Sequence, residues 1–593
     1  MMLMPMDVLK ASWILAVFLF AFFWFPSRLF SARPNGALVM RIPGNWVRMA
    51  LCVTIAVFLL TRLRTLSAIT VIGLLGAGLA TAWFRKHDGT TRNVTISLRT
   101  TTLRILRNFE SRSFGLHLLP RFRRPVPASS PLVLRVNNWL SAWEHRKMLV
   151  AASVVVLVLT SILSSEHALR ELRFDHPEQY STLLRARELM LEFPAGGRPF
   201  VFPALIVTTS LLSGTDPMQV TRFLSPVLGI LVVLAVGLLI HACTRMGVAS
   251  VAGMYCLGAA AFPVATNDTV AATSAMQKIE SLLRYPQAMT RASTEFELGL
   301  VFLLLALTFL ADWFWSSRSD CLLDLFCCLL LLGIISQFLL LIFMIPAMVV
   351  LIRPALGLVT FVLACYVPAA YATLSTGSTV PNEVFAILPV AASIAVGCCL
   401  ALAEATMIAR AGRAAETILL IACLGIAIIW LRPHRLIGQQ LEYEAAVRQT
   451  EEIKYRFPRQ RWAVVAPVEQ LPETLGFGVY EDLAEFVEKY RNQVSSPEFR
   501  FQGTPEDLFI YVEKRPFQMF SREPQTVSFP VLADATYRNY RSPAGRASLE
   551  SAALKLCESY RQHNSHADVF FEDEDLRVYH IHQEQAPGFE IRQ

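Results

Sequence analysis

Asp175 and His176 stand side by side, and arginines and acids recur after them: Arg185, Arg187 and Glu188, then Arg198, then Arg222. A second such stretch carries Arg284 and Arg291 and ends at Glu295 and Glu297. A carboxylate within hydrogen-bond reach of a hydroxyl takes its proton as that hydroxyl attacks. Guanidinium forks bind phosphate oxygens through paired, charge-assisted contacts and stabilise a phosphate as it departs. Both residue types also have plainer readings. An aspartate in a loop is most often a solvated turn residue, and arginines on an amphipathic helix anchor it to lipid headgroups. Asp573-Glu574-Asp575 matches a metal-binding Asp-x-Asp pattern, and it equally marks a turn between strands at 569–571 and 577–582. His580 and His582 alternate on one strand face, either as metal ligands or as ordinary surface residues. Two glycosylation triplets, at Asn93 and Asn267, are of a kind that arises often by chance.

The elements that must position these residues follow from composition. The chain has 593 residues, 54% of them hydrophobic and only 17% charged, with a mean hydropathy of +0.45. A soluble domain carries roughly 25% charged residues. The apolar residues gather into runs of about 15 to 25, the length a helix needs to cross hydrocarbon. Three runs fall in 1–84, at 12–26, 47–60 and 66–84. The first lacks a basic stretch before it and a cleavage site after it, and so reads as a retained helix. The segment 85–147 is rich in arginine, with Asp88, Glu110 and Glu144 as its only acids. It holds most of the excess behind the net charge of +8. The positive-inside rule places it in the cytoplasm, resting on anionic lipid, and no nucleic-acid partner is expected.

A helix at 148–163 then runs outward, and 164–221 forms the first outer loop. Further crossings are expected at 222–243, 248–264, 296–315, 322–335, 338–351, 356–374, 386–408 and 416–431. Arg245, Arg318, Arg353, Arg410 and Arg413 fall on the inner side if the chain reverses near Ser336 and Gln337. The count is then about twelve, and 432–593 lies outside the membrane. That tail reads as an α/β domain, with strands at 462–466, 508–512 and 577–582 and helices at 480–491 and 547–562. All cysteines except Cys557 lie in or beside apolar runs, where a thiol behaves as a small buried hydrophobe.

Within the first outer loop, Leu183, Leu184, Leu189, Met190 and Leu191 share a segment with Arg185, Arg187 and Glu188, the pattern of a helix lying in the membrane interface. Such a helix would hold Asp175 just above the membrane. Gly196, Gly197, Pro199 and Pro203 then break the chain, and 204–212 is apolar but too short to cross. This arrangement resembles the first outer loop of the GT-C superfamily, the polyprenyl-phosphate-sugar glycosyltransferases, including the dolichyl-phosphate-mannose mannosyltransferases. The residues that carry the resemblance are Asp175 beyond a transmembrane helix, Tyr180 and Arg187-Glu188 on the interfacial helix, and the Pro-Phe-Val-Phe-Pro-Ala-Leu run from Pro199 to Leu205. It covers roughly 148–431.

The resemblance implies a GT-C-like polytopic fold with a C-terminal extracytoplasmic α/β domain, in a membrane of the bacterial inner type. It implies that Asp175 is the catalytic base or orients the acceptor, with Glu297 as a second acidic candidate. His176, Tyr180, Arg185, Arg187, Glu188, Arg198, Arg222, Arg284 and Arg291 are then candidates for substrate binding. The donor would be a polyprenyl-phosphate-linked sugar, the acceptor a glycan, a lipid or a protein, and membrane lipid a further partner. A divalent metal could assist, but this chemistry does not require one. The tail lacks the Trp-Trp-Asp motif of oligosaccharyltransferases, and Asp175-His176 stands where protein O-mannosyltransferases have Asp-Glu. Two rival classes remain: a secondary transporter or lipid flippase, and a non-catalytic scaffold. Transport favours ionisable residues at mid-membrane, whereas Asp312, Asp324 and Glu404 lie nearer the ends of their runs.

Overall fold

The computed structural model describes residues 5–30, 38–87, 145–174, 177–191, 200–258, 295–374, 382–411, 418–423, 425, 442–457, 462–491, 499, 501, 505–515, 543–564 and 566–583. The first helix, α1 (Pro5–Leu19), continues through a π-helical turn (Phe20–Trp24) into α2 (Phe25–Leu29). Then come α3 (Leu38–Arg62), α4 (Ala68–His87) and α5 (His145–Arg170). Two shorter helices, α6 (Pro177–Met190) and α7 (Val201–Ser213), precede α8 (Pro217–Thr244) and α9 (Gly247–Gly258). The bundle is completed by α10 (Glu295–Ser316), α11 (Ser319–Ile335), α12 (Gln337–Val350), α13 (Pro354–Leu374) and α14 (Asn382–Ala411).

Among the described residues, five helices are long and apolar enough to cross a membrane: Asp7–Leu29, Met40–Arg62, Pro217–Thr244, Glu295–Ser316 and Ile387–Ala409. Large apolar side chains stand exposed on the bundle's flanks, among them Ile69, Val150, Ile162, Leu341, Met348 and Leu402. Water would not tolerate so many; hydrocarbon does, and the architecture is that of a helical membrane protein.

The bundle has two distinguishable ends. At one, Arg245 of the turn between α8 and α9 reaches Asp312 near the end of α10 at 3.3 Å. There too, Glu404 of α14 accepts from the amides of Gly247, Val248 and Ala249 at the start of α9, at 3.2, 3.3 and 2.9 Å. At the other end, Trp13 Nε1 donates to Ser213 O at 3.0 Å, and Glu295 accepts from Val201 N at 2.9 Å. Asp216 caps α8 there, accepting from Met218 N, with Pro217 at the first helical position. The single extended residue Ser336 separates α11 from α12, and its Oγ accepts from Leu339 N at 3.3 Å. Glycine at 299 on α10 admits this junction, because a Cβ there would lie 2.6 Å from Leu339 and 3.0 Å from Ile335. The apolar segment too short to cross is found as α7, wholly buried from Val201 to Ser210.

From 442 onward the described chain forms α15 (Glu444–Arg456), β1 (Trp462–Ala466), a 3-10 turn (Val468–Gln470), α16 (Leu471–Thr474), β2 (Val479–Asp482) and α17 (Leu483–Tyr490). It continues with β3 (Asp507–Glu513), α18 (Pro543–His563), β4 (Ala567–Glu572) and β5 (Leu576–His582). The strands make one sheet in the order β2-β1-β3-β5-β4. The pairs β1 with β2 and β1 with β3 are parallel, and β5 is antiparallel to both its neighbours. Alternation along the strands gives each face its own core. Ala463, Val465, Leu508 and Ile510 pack with residues of α17 and α18, while Trp462, Val464, Phe509 and Tyr511 pack with α15. The expected helix at 480–491 starts later than its pattern suggested, since 479–482 pairs as β2 and Asp482 then caps α17 through Ala484 N and Glu485 N.

Candidate functional site

The sheet unit meets the bundle at α6, the helix that the sequence singles out. Tyr180 is fully buried, and its ring stands edge-on to Phe174 at 5.1 Å. A buried phenol needs an acceptor, and the Tyr180 hydroxyl donates to Oε1 of Glu442. Two turns on, Arg187 is 3% exposed. Its Nη1 donates to Glu473 O at 2.5 Å and Leu475 O at 2.9 Å, its Nη2 donates to Asp216 at 3.0 Å, and its guanidinium lies over the Phe477 ring. This one side chain joins α6, the cap of α8 and the turn after β1. Leu191 rests against Gly476, whose φ of +89° is one that a side chain would strain.

The arginine field thus divides by partner. Arg185 pairs with Glu188 one turn on at 2.7 Å and lies over Phe200. Arg222 is 3% exposed, 3.9 Å from Asp7 and stacked over Phe223. Glu297 is buried in the first turn of α10, beside Glu295 with its bond to Val201 N. Asp175, His176, Arg198, Arg284 and Arg291 lie outside the described residues. The described segments on either side of Asp175 and His176 are both held by the sheet unit. Glu444 Oε2 accepts from Leu172 N at 2.9 Å and Arg173 N at 3.3 Å, and Glu442 takes Tyr180.

The floor of this contact is a nest of buried acids at the carboxyl ends of β1 and β3. In an open α/β sheet a crevice forms where the connections leave adjacent parallel strands in opposite directions. Here β1 leads to β2 on one side and β3 lies on the other. Glu469 and Glu473 follow β1, Glu513 ends β3, and Glu550 of α18 accepts from Glu513 N at 2.8 Å; all are buried. Arg546, also buried, pairs with Glu513 at 2.6 Å and stands 3.8 Å from Glu469. Burial pushes the Glu473 carboxyl up to about 8 against the pull of Lys454, and Glu469 up to about 7 against Arg546. Glu442 is raised by burial and then by Glu473. Tyr180 is raised by burial and by the charge of Glu442. Burial also works against an ionised Asp216, but Arg187 and Lys454 outweigh it and hold that carboxyl below its usual range.

Sequence reasoning missed Glu442, Glu444, Glu469 and Glu473. A signal was present: Glu469 and Glu473 follow directly on an apolar strand, at the edge where parallel sheets place polar chemistry. His580 and His582, read as ligands or surface residues, both contact Asp507 Oδ1 at 2.9 Å. Asp573 accepts from Asp575 N and Leu576 N, which closes the turn between β4 and β5. Among the described residues no three His, Cys, Asp or Glu side chains are grouped to hold a metal ion. Comparison with protein-family models, curated proteins and solved structures finds no match.

Proposed function

We propose that the chain is a membrane glycosyltransferase that moves a sugar from a polyprenyl-phosphate carrier to an acceptor on the outer face of the membrane. The observation that carries this reading is the build of the first loop. Between α5 and α8 the chain makes α6, whose described side chains from Gln179 to Met190 are all buried or half-buried, and a short buried helix, α7, and the sheet unit packs directly on that loop. A lipid-linked substrate reacts at the membrane surface, and a jointed loop between hydrocarbon and a polar unit suits such a reaction. In this reading Asp175 takes the proton of the attacking hydroxyl, and arginines neutralise the phosphate as the sugar leaves it. Arg187, with both terminal nitrogens engaged by protein acceptors, holds the loop rather than the phosphate. Phosphate contact then falls to Arg185, Arg198, Arg222, Arg284 and Arg291, and Glu297 remains the second acidic candidate.

The sidedness this requires has support in the helix-end contacts. Arg245 stands at one end of the bundle, and the turns at Arg318 and Arg353 follow to the same side by alternation along the chain. The sheet unit, α6 and the cap of α8 share the other end. About twelve crossings with an outward C-terminal unit are part of this proposal; five described helices are long and apolar enough to cross a membrane.

The transporter reading is disfavoured by what its acids do. Asp324 pairs with Arg48 at 2.6 Å, Asp312 with Arg245, and Glu404 caps α9. These are structural tasks near helix ends, where a coupling residue would face a cavity. The test is sugar transfer by the full chain in nanodiscs, with a panel of polyprenyl-phosphate sugars, comparing wild type with Asp175→Asn. Transfer at wild-type rate in that variant removes Asp175 from the mechanism, and absence of transfer from every donor overturns the enzymatic reading.

A further inference from the structure

Two tryptophans mark where the bilayer ends on the bundle. Trp13 of α1 and Trp315 of α10 are both exposed. Trp13 donates its indole N–H to Ser213 O, just before the cap of α8, and Trp315 donates to Ala242 O in the last turn of α8, both at 3.0 Å. Tryptophan collects at membrane–water boundaries because its ring is apolar while its N–H needs an acceptor. Between these marks α8 runs for 28 residues, about 42 Å at 1.5 Å per residue, which matches a bilayer with its headgroup layers rather than its hydrocarbon alone. Asp216, the cap of α8, therefore stands among the headgroups.

Arg187 carries that level into the sheet unit. Its Nη2 donates to Asp216 at 3.0 Å and its guanidinium carbon lies 4.9 Å from the centre of the Phe477 ring, so this ring is at headgroup level too. Lys454 Nζ lies over the same ring at 4.8 Å. Both cations are buried and matched by acids, Arg187 by Asp216 and Lys454 by Glu451. What the turn presents outward is the ring itself, 37% exposed, with Leu191 at the end of α6 and Val479 at the start of β2 exposed beside it. Leu191 rests against Gly476, and β2 is an edge of the sheet. Gly478 lies against Trp462, a Cβ there being 2.4 Å from the indole, so the turn faces inward at 478 and its neighbours face out. Three large apolar side chains gathered on a turn are costly in water and are at home where headgroups meet acyl chains.

We propose that Leu191, Phe477 and Val479 form a membrane-contact surface, through which the sheet unit rests on phospholipid of the leaflet nearest it. The occupant is lipid because the patch is apolar, shares the level of the start of α8, and has its cations already spent on protein partners. This surface gives the sheet unit a second hold beside the Arg187 contact and confines it to the plane of the headgroups. It depends neither on the glycosyltransferase reading nor on which side of the membrane the sheet unit lies.

The photoreactive residue p-benzoylphenylalanine, placed in turn at Leu191, Phe477, Val479 and Asp568, tests this in the full chain reconstituted in nanodiscs of fluorescently labelled phosphatidylcholine. Asp568 is the control, exposed on β4 at the opposite edge of the sheet, four strand spacings or about 19 Å from β2. Irradiation is expected to attach labelled lipid at 191, 477 and 479 several-fold more than at 568, read as fluorescence of the protein band after denaturing electrophoresis. All three side chains are exposed, so a position where the larger ring prevents folding leaves the other two to carry the test. Lipid labelling at the folded patch positions no greater than at 568 shows a turn in water and overturns the proposal. Adducts to a second protein chain in place of lipid overturn it as well. The measurement needs no sugar donor, so its failure and that of the glycosyltransferase reading are seen separately.

Discussion

Glu404 and Arg187 are both buried charged groups satisfied chiefly by backbone, one a carboxylate on three amides and the other a guanidinium on two carbonyls and an acid. Removing such a group leaves its partners buried without a match, which costs more than the bond itself is worth. Glu404→Ala should destabilise the bundle by about 2–3 kcal/mol, with Glu404→Gln losing less, as read by thermal unfolding in detergent. Arg187→Ala should cost about 3–5 kcal/mol at the contact between bundle and sheet unit, seen as faster exchange in α6 with the rest of the bundle unchanged. Lysine at that position should rescue poorly, because one ammonium cannot reproduce the planar fork. The sequence singled out Tyr180 and Arg187 as polar residues on an amphipathic helix. Their partners lie 262 and 286 residues away, and no local pattern names a partner at that distance. Glu473 escaped notice for the opposite reason: a glutamate beside proline and threonine reads as surface, and only the tertiary fold buries it.

At the scale of elements, the strands at β1, β3 and β5 were legible because apolar runs of this length bounded by polar residues have one economical conformation. The start of α17 was misjudged although its signal was local: Asp482 followed three residues later by Glu485 is the pattern of a helix start. Ala446, Val447, Thr450 and Ile453 likewise make a buried stripe at helical spacing, and α15 went unassigned only because its sequence is otherwise charged. The junction of α11 and α12 was read as a reversal near Ser336, and the structure places a helix break there. Its packing against α10 is testable. Gly299→Leu should lose about 1–3 kcal/mol through overpacking against Ile335 and Leu339, measured as a lower Tm with the far-ultraviolet spectrum retained.

For the whole molecule, the sorting of contacts between two bundle ends predicts labelling by a membrane-impermeant thiol reagent. In a background with the 11 native cysteines replaced, cysteine at Gly214 or Glu574 should react from one side and cysteine at Arg318 or Arg353 only from the other. Reaction of the Glu574 and Arg353 positions from the same side would refute an outward sheet unit.

The distance between Tyr180 and Glu442 has a further consequence, in the time it takes to make the protein. Their 262-residue separation means that α6 emerges long before the residue that receives its hydroxyl. At a synthesis rate of roughly 5–20 residues per second the wait is roughly 13–50 seconds. During that interval the Tyr180 hydroxyl and the Arg187 guanidinium lack their sheet-unit acceptors, and the loop between α5 and α8 must be kept from binding elsewhere. A ribosome stalled before 442 leaves this loop open however well the earlier helices have been inserted, so quality control could read a full-length chain from the closure of a segment made in its first third.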